Sequence, residues 1–317
     1  MAQKNRLVGI DVAKEKIDAA IRSGAEATFA NRVEGHRELL AWLQEHGVGK
    51  AVMEASGGYE RKWVGLLRQA GLEVVVVDPK RVRHFAKSAG RQAKNDAIDA
   101  RMIAWFGEVF DDLESQAGDA EREELDHLVT TRMAVMQLKD QVENWTEHEH
   151  PQAVQKVHQA LLKAITTQLT KLQELIAGRI DRTERFAQHA DIIRSVPGVG
   201  EVATAGIVAF LPELGRVDRQ VAAALLGVAP FDNDSGERRG ERHILGGRRK
   251  LRTLLFMPVL AAATRHNPVL KAYYQRLIAR GKKAKVALTA CMRKLISILN
   301  AMLMRGEKWD PAKYAMA

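Results

Sequence analysis

Four carboxylates in the first third of the sequence have types and spacings that suit metal-dependent chemistry. Asp11 and Glu54 lie near the ends of two short apolar runs, LVGIDVA and KAVME, and Asp96 and Asp99 stand three residues apart in KNDAIDARMIA. That step puts both aspartates on one face of a helix. If the helix crosses the strand ends, the four carboxylates converge and call for a cation. Such oxygen ligands suit Mg²⁺ and in-line phosphoryl transfer, although each acid taken singly is more commonly a solvated or capping residue.

The elements that must position these acids follow from the apolar pattern. The pattern predicts strands at 6–12, 15–23, 25–31, 50–54 and 72–78, and helices at 34–46 and 59–70. Hairpin strands followed by strand–helix–strand predict an α/β domain with a mixed sheet.

A basic stretch separates the last predicted strand from the paired aspartates. Residues 79–94, PKRVRHFAKSAGRQAK, hold six Lys or Arg and no acid. Their place beside the acids favours contact with a phosphate backbone, and a solvated basic face is the alternative. The candidate nucleic-acid contacts are Lys80, Arg81, Arg83, Lys87, Arg91 and Lys94.

The middle of the chain has a helical period. Between residues 120 and 190 there is one proline, Pro151, and one glycine, Gly178, and apolar residues recur at steps of three and four. This pattern predicts two long antiparallel helices joined near residue 150. Such a pair would be a spacer or an oligomerisation arm.

Two later segments could contact nucleic acid. SVPGVG at 195–200 has the Pro-Gly-x-Gly pattern of a helix-hairpin-helix turn, in which Gly198 and Gly200 would let the backbone approach a phosphate. A tight turn between packed helices is the alternative.

Residues 230–252 combine glycines with seven Lys or Arg around Ser235. A serine before glycine is most often a turn residue, and a nucleophile is the less common reading. The basic side chains that could neutralise a phosphate there are Arg238, Arg239, Arg248, Arg249 and Lys250.

Composition sets limits on these alternatives. The 317 residues carry a formal charge of +10, and 46% of them are hydrophobic, which excludes disorder of the whole chain and makes a polyanionic partner an expectation. No run approaches the ~20 apolar residues of a membrane span. One cysteine, Cys291, permits no intrachain disulfide. We expect a cytoplasmic protein with no membrane association.

Residues 6–106 resemble the DEDD transposases of bacterial insertion sequences, through GIDVAKEKIDAAI, MEASGGYERKW and KNDAIDARMIA. The N-terminal domain of that family is similar to the RuvC Holliday-junction resolvases and has an RNase H-like fold. The resemblance implies that Asp11, Glu54, Asp96 and Asp99 form a catalytic, metal-binding tetrad for Mg²⁺.

Residues 192–310 resemble the C-terminal transposase domain of the same family, through ALLGVAPF, NDSGERRG and GGRRKLRTLLF. This resemblance implies that Ser235 is the catalytic nucleophile and forms a covalent phosphoserine with DNA. It also implies composite sites in a homo-oligomer, a dimer or tetramer, and a structured non-coding RNA that pairs with donor and target DNA.

The sequence thus predicts an α/β plus α protein in three parts: a RuvC-like domain at 1–110, a helical coiled-coil arm at 111–190, and a C-terminal, mostly helical transposase domain with helix-hairpin-helix at 191–317. Two other functions stay open. One is a resolvase-like two-metal nuclease in which Ser235 is incidental, and the other is a non-catalytic architectural DNA-binding protein. A sugar kinase of the actin-like fold is disfavoured because its second glycine-rich phosphate loop is missing from the sequence.

Overall fold

The computed structural model describes residues 6–56, 58–90, 96–110, 119–231, 240 and 242–314, and the side chains of α4, the helix that begins at Asp96, from residue 100 onwards. The chain forms two compact units, Met1–Gly118 and Asp119–Ala317.

The first unit is built on a five-stranded mixed sheet in the order β3-β2-β1-β4-β5. Strands β1 to β3 form an antiparallel meander, and β4 and β5 run parallel to β1. The strands are β1 Arg6–Val12, β2 Lys16–Ala20, β3 Glu26–Ala30, β4 Val48–Glu54 and β5 Glu73–Val77. The five predicted strands are therefore confirmed, with ends that differ by a few residues.

Helices cover both faces of this sheet. They are α1 Val33–Glu45, α2 Tyr59–Gln69, α3 Pro79–Ser88 and α4 Asp96–Val109. One face packs on α1 and α2 through Ile10, Met53 and Trp63. The other packs on α3 and α4 through Val52 and Phe106. Two covered faces explain why the central strands read as continuous apolar runs.

The second unit is almost entirely helical. Its helices are α5 Ala120–Thr146, α6 Gln152–Arg182, α7 Glu184–Arg194, α8 Glu201–Phe210, α9 Arg219–Leu226, α10 Arg249–Ala261, a π-helix Ala262–His266, α11 Pro268–Ala279, α12 Ala284–Arg305 and α13 Pro311–Tyr314. Two short strands, β6 Pro230–Phe231 and β7 His243–Ile244, pair antiparallel.

Helices α5 and α6 lie antiparallel, as the sequence predicts. The Arg132 guanidinium donates to Gln173, and Arg179 forms an ion pair with Glu124 nearer the start of α5 and the end of α6. Only the inner part of the pair joins the core of the second unit, through residues such as Ile176. The outer part leaves several large apolar side chains exposed, namely Leu138, Trp145, Val154, Val157 and Leu161.

Helix α12 is the central helix of the second unit. It is long and apolar enough to cross a membrane by length and composition alone, yet more than half of its apolar window is buried inside the protein. Cys291, Leu295 and Leu299 on it are completely buried. Burial raises the pKa of the Cys291 thiol to about 11, so the thiol stays protonated and is a poor nucleophile.

Candidate active site

Asp11 and Glu54 lie side by side on the two central strands. Strands β1 and β4 run parallel with Gly9 opposite Val52 and Ile10 opposite Met53, and the two acids are the next residues along each strand. Both are half-buried. Neighbouring strands are about 4.8 Å apart, so the two carboxylates lie next to each other on the same face of the sheet.

That face is the one covered by α4. A methyl group added to Gly9 would lie 2.1 Å from the carbonyl oxygen of Ala100, and one added to Gly107 would lie 2.7 Å from Val52 Cγ2 and 3.0 Å from Leu7 Cδ1. Because side chains alternate along a strand, residues two positions after Gly9 and Val52 also face α4. The helix packs directly on the strand backbone there.

These contacts also fix the direction of α4. Ala100 lies over Gly9, whereas Gly107, two turns later, lies against Leu7, so the helix runs antiparallel to β1. The helix begins at Asp96, and its first turn therefore points towards the end of the sheet that carries Asp11. The side chains of Asp96 and Asp99 lie outside the described residues, and convergence of all four acids stays a prediction.

A third carboxylate, Asp18, stands next to Asp11 and is not among the site residues predicted from the sequence. Asp11 is paired with Asp18 in the antiparallel register of β1 and β2, which puts both side chains on one face. Asp18 is buried; Thr28 Oγ1 donates a 2.6 Å hydrogen bond to it, and Lys16 Nζ lies 3.1 Å away. An acid in the middle of the apolar strand KIDAA was the available signal, but its partner depends on the hairpin register.

The turn that follows Glu54 is held by a buried acid. Glu60 Oε2 accepts hydrogen bonds of 2.9 Å from the Ser56 amide, the Ser56 hydroxyl and the Gly58 amide. Burial by itself raises the pKa of Glu60, but these hydrogen bonds outweigh it and hold the pKa below its ordinary value. The ionised Glu60 therefore fixes the path of the chain from β4 into α2.

Helix α3 presents the first half of the basic stretch to solvent. Lys80, Arg81, Arg83 and Lys87 are all exposed. Arg81 also lies over two aromatic rings, 5.3 Å from the centre of Phe106 in α4 and 5.5 Å from that of Phe110, the residue after that helix. These contacts anchor Arg81 against the helix that begins with the paired aspartates. Arg91 and Lys94 lie outside the described residues.

The donor set fits a hard divalent cation. Asp11 and Glu54 supply adjacent, half-buried carboxylate oxygens, and ligands of this kind suit Mg²⁺. Within the described residues, no group of three or more His, Cys, Asp or Glu side chains is arranged to hold a metal ion. The side chains of Asp96 and Asp99 are outside that set, and their part in holding a metal stays a prediction.

The 195–200 turn joins α7 to α8. Gly198 has φ of +90°, and a methyl group there would lie 2.6 Å from Ala262 Cβ, so packing against the π-helix requires this glycine. Gly200 is the N-cap of α8, and no atom lies within 4 Å of a methyl group added to it. Of the two glycines, Gly200 has the backbone that a ligand could approach.

A completely buried asparagine braces this turn. Asn267 Nδ2 donates to the Pro197 carbonyl at 3.4 Å, while its Oδ1 accepts from the Val269 and Leu270 amides and caps α11. One side chain thus connects the 195–200 turn with the start of another helix. Its role could not be predicted from sequence, because Asn267 and Pro197 are 70 residues apart.

Ser235, Arg238 and Arg239 lie outside the described residues, on the segment between β6 and β7. The described basic residues after β7 have different surroundings. Arg248 forms a two-pronged ion pair with Glu213, with an Nη1–Oε2 distance of 2.6 Å. Arg249 and Lys250 are exposed, and Lys250 Nζ lies 3.5 Å from Thr130 Oγ1.

Arg252 is a further basic residue with a defined position. Its Nη1 donates to the carbonyl groups of Leu226, Gly227 and Gly246 at 2.9–3.2 Å. These contacts tie the end of α9 to the residues after β7. Arg252 therefore connects the residues before β6 with those after β7, a role that could not be predicted from the sequence.

Comparisons with known proteins agree across the chain. A family model described as Transposase matches residues 8–148, and one described as Transposase IS116/IS110/IS902 family matches residues 190–275. The chain is 24% identical to the pilin gene-inverting protein of Moraxella bovis over 96% of this chain and 97% of that protein.

Two insertion-element proteins match over shorter lengths. The uncharacterized 44.8 kDa protein of insertion element IS116 from Streptomyces clavuligerus is 35% identical over 46% of this chain and 37% of its own length. The uncharacterized 42 kDa protein of insertion element IS900 from Mycobacterium paratuberculosis is 34% identical over 41% of this chain and 33% of its own length.

A mixed sheet of this order, with adjacent carboxylates facing a packed helix, is consistent with the RNase H-like domain of a DNA-modifying enzyme. The chain belongs to the IS116/IS110/IS902 family of transposases, because the two matched regions together cover most of it. The resemblance found in the sequence is confirmed.

Proposed function

We propose that this transposase cuts and exchanges DNA strands through a covalent bond to Ser235, assisted by Mg²⁺ at Asp11, Glu54, Asp96 and Asp99. The observation that carries the proposal is the adjacent placement of Asp11 and Glu54 beneath the helix that begins with the other two acids. A pair of divalent cations held there would stabilise charge on the attacking and leaving oxygens of a phosphodiester.

The serine step forms one bond and breaks one. The Ser235 hydroxyl gives up its proton to a base, its Oγ bonds to the phosphorus, and the bond from phosphorus to one deoxyribose oxygen breaks. That oxygen leaves as a hydroxyl group after taking a proton. The phosphoserine ester conserves the bond energy, so a hydroxyl of another strand can reverse the step and complete the exchange.

The proposal includes an oligomer in which the tetrad of one protomer works with Ser235 of another. The exposed apolar side chains on the outer part of α5 and α6 support it, because a second copy would remove them from water. We propose that this coiled-coil arm forms the dimer or tetramer contact. The 195–200 turn, as a helix-hairpin-helix element, would hold a DNA phosphate near Gly200.

We also propose a guide: a structured non-coding RNA that pairs with donor and target DNA. The relative from Moraxella bovis is named a pilin gene-inverting protein, and inversion of a gene is a rearrangement of DNA. A recombinase acts where the chromosome is, so a cytoplasmic location accompanies the proposal. Sequencing of the nucleic acid that co-purifies with the protein tests this proposal. One discrete RNA species is expected, and random fragments would contradict a guide RNA.

The test of the chemistry uses donor DNA and purified full-length protein. Ser235→Ala should abolish both strand cleavage and the protein–DNA adduct seen on a denaturing gel, whereas Ser297→Ala, at a serine of α12, should leave both intact. If Ser235→Ala still cleaves, the protein is a nuclease that uses water.

A second pair of variants tests the acids. Asp11→Asn should abolish cleavage while DNA binding persists, and Glu38→Gln, at an exposed acid of α1 in the same unit, should cleave as the parent does. If Asp11→Asn supports recombination at the parent rate, the acids are not catalytic, and the architectural alternative is favoured.

A further inference from the structure

The C-terminal third of the chain contains a long segment without acids. From Arg242 to Gly306 the sequence has fifteen Lys or Arg and no Asp or Glu. The formal charge of the whole chain is +10, so this segment carries more than the entire net excess. A charge density of this kind, without local compensation, attracts polyanions.

Part of this charge is concentrated where α11 turns into α12. Gly281, with φ of +76°, follows the end of α11, and Arg280, Lys282, Lys283 and Lys285 around it are all exposed. None of these four forms an ion pair with a carboxylate of the described residues. Their charge is therefore directed to solvent.

Two further cations lie on the same two helices and share one aromatic ring. Arg276 of α11 and Lys294 of α12 both lie over Tyr273, 5.1 Å and 4.9 Å from its centre. Burial, and then the charge of Arg276, lower the pKa of Lys294. The ring offsets part of the repulsion between the two cations, and an anion bound beside them would remove more of it.

We propose that this surface, the α11–α12 basic face formed by Arg276, Arg280, Lys282, Lys283, Lys285 and Lys294, binds the phosphate backbone of duplex DNA. It rests on the proposed function only in requiring that the protein binds DNA. The face consists of lysine and arginine side chains, whose contacts with phosphates carry no sequence information, and the Tyr273 ring is in contact with two of these cations. Binding through this face is therefore independent of sequence and strongly dependent on salt.

The experiment measures the affinity of the full chain for a labelled duplex of arbitrary sequence over a range of salt concentrations. In the triple variant Lys282→Gln, Lys283→Gln and Lys285→Gln, each lost phosphate contact lowers the slope of log affinity against log salt by about 0.9. We expect a slope lower by two to three and weaker binding at every salt concentration. Arginine at the same three positions should restore the slope.

A charge-matched control lies away from this face and from the outer part of α5 and α6. Lys171 of α6, and Arg216 and Arg219 beside the start of α9, are exposed, and their replacement with glutamine removes the same charge from the same unit. This control should keep the parent slope. An equal fall in both triple variants would mean that bulk charge, not the α11–α12 basic face, sets the affinity, and the proposal would be overturned.

The remaining outcomes separate the competing partners. If the parent binds DNA and the α11–α12 variant binds it unchanged, this proposal fails and the proposed function stands; if the parent binds no DNA, both fail. A loss restricted to a structured RNA, or to vesicles containing anionic lipid, measured in parallel, would likewise overturn the assignment to DNA.

Discussion

Replacement of Gly9 by alanine tests how the fold positions the acids. The new methyl group would lie 2.1 Å from the Ala100 carbonyl oxygen and 2.3 Å from the Ala104 amide nitrogen. Both are backbone atoms, so α4 must move away from β1 by about 1 Å to reach van der Waals separation. Overpacking costs about 1–3 kcal/mol, and we expect a loss of about 3 kcal/mol in the free energy of unfolding because no flexible side chain can yield.

The same displacement should reduce activity while the protein is still folded. A misplacement of about 1 Å in a catalytic constellation costs about 100-fold in rate. Gly9→Ala should therefore cleave donor DNA about 100-fold more slowly, with DNA affinity unchanged. Denaturant unfolding and single-turnover cleavage measure the two effects separately.

Gly65 provides the matched control for this substitution. It lies within the exposed face of α2, and no atom is within 4 Å of a methyl group added there. Gly65→Ala should raise stability by about 1 kcal/mol through helix propensity and leave cleavage unchanged. Parent-like stability and cleavage in Gly9→Ala would refute the close packing of α4 on β1 and, with it, the proposed position of the tetrad.

Three further changes probe other contacts by denaturant unfolding. Glu213→Gln should cost about 2 kcal/mol near pH 7, because it leaves Arg248 without its carboxylate partner. Burial by itself raises the pKa of Glu213, but the hydrogen bonds from Arg248 and its charge hold the pKa below its ordinary value. The cost should therefore vanish as the pH falls below this depressed pKa, because the parent carboxylate is then protonated as well. Thr28→Val should cost about 2 kcal/mol by removing a hydrogen bond to buried Asp18, and Thr28→Ser should restore it. Asn267→Ala should cost about 1–3 kcal/mol through the lost cap of α11 and its lost bond to the 195–200 turn.

The sequence predicts the sheet well because burial on two faces leaves a direct signal. The runs around Ile10, Val52 and Val75 are apolar at nearly every position, and each becomes a central or edge strand with its ends close to the predicted ones. The long helices are equally visible, since Ile165 and Ile176 repeat at the helical period and are buried in the α5–α6 contact.

Contacts made across the chain are less visible. In the sequence, Arg248 is one of several cations near Ser235 and looks available to a phosphate. In the structure its guanidinium is paired with Glu213, 35 residues away. Asp18 was missed for the same reason, because its place beside Asp11 depends on the register of a hairpin. Local charge patterns show which side chains exist, and only the fold shows which of them are already neutralised.

This distinction separates the basic residues of the second unit into two groups. Arg248 and Arg252 are occupied by a carboxylate and by three carbonyl groups, so their removal should act first on stability. Lys282, Lys283 and Lys285 form no ion pair with a described carboxylate, so their removal should act on the affinity for a polyanion. Basic residues that are equivalent by composition thus have different roles. A cation that is bound to acceptors inside the protein has already lost its water and found partners, so contact with a phosphate adds less binding free energy.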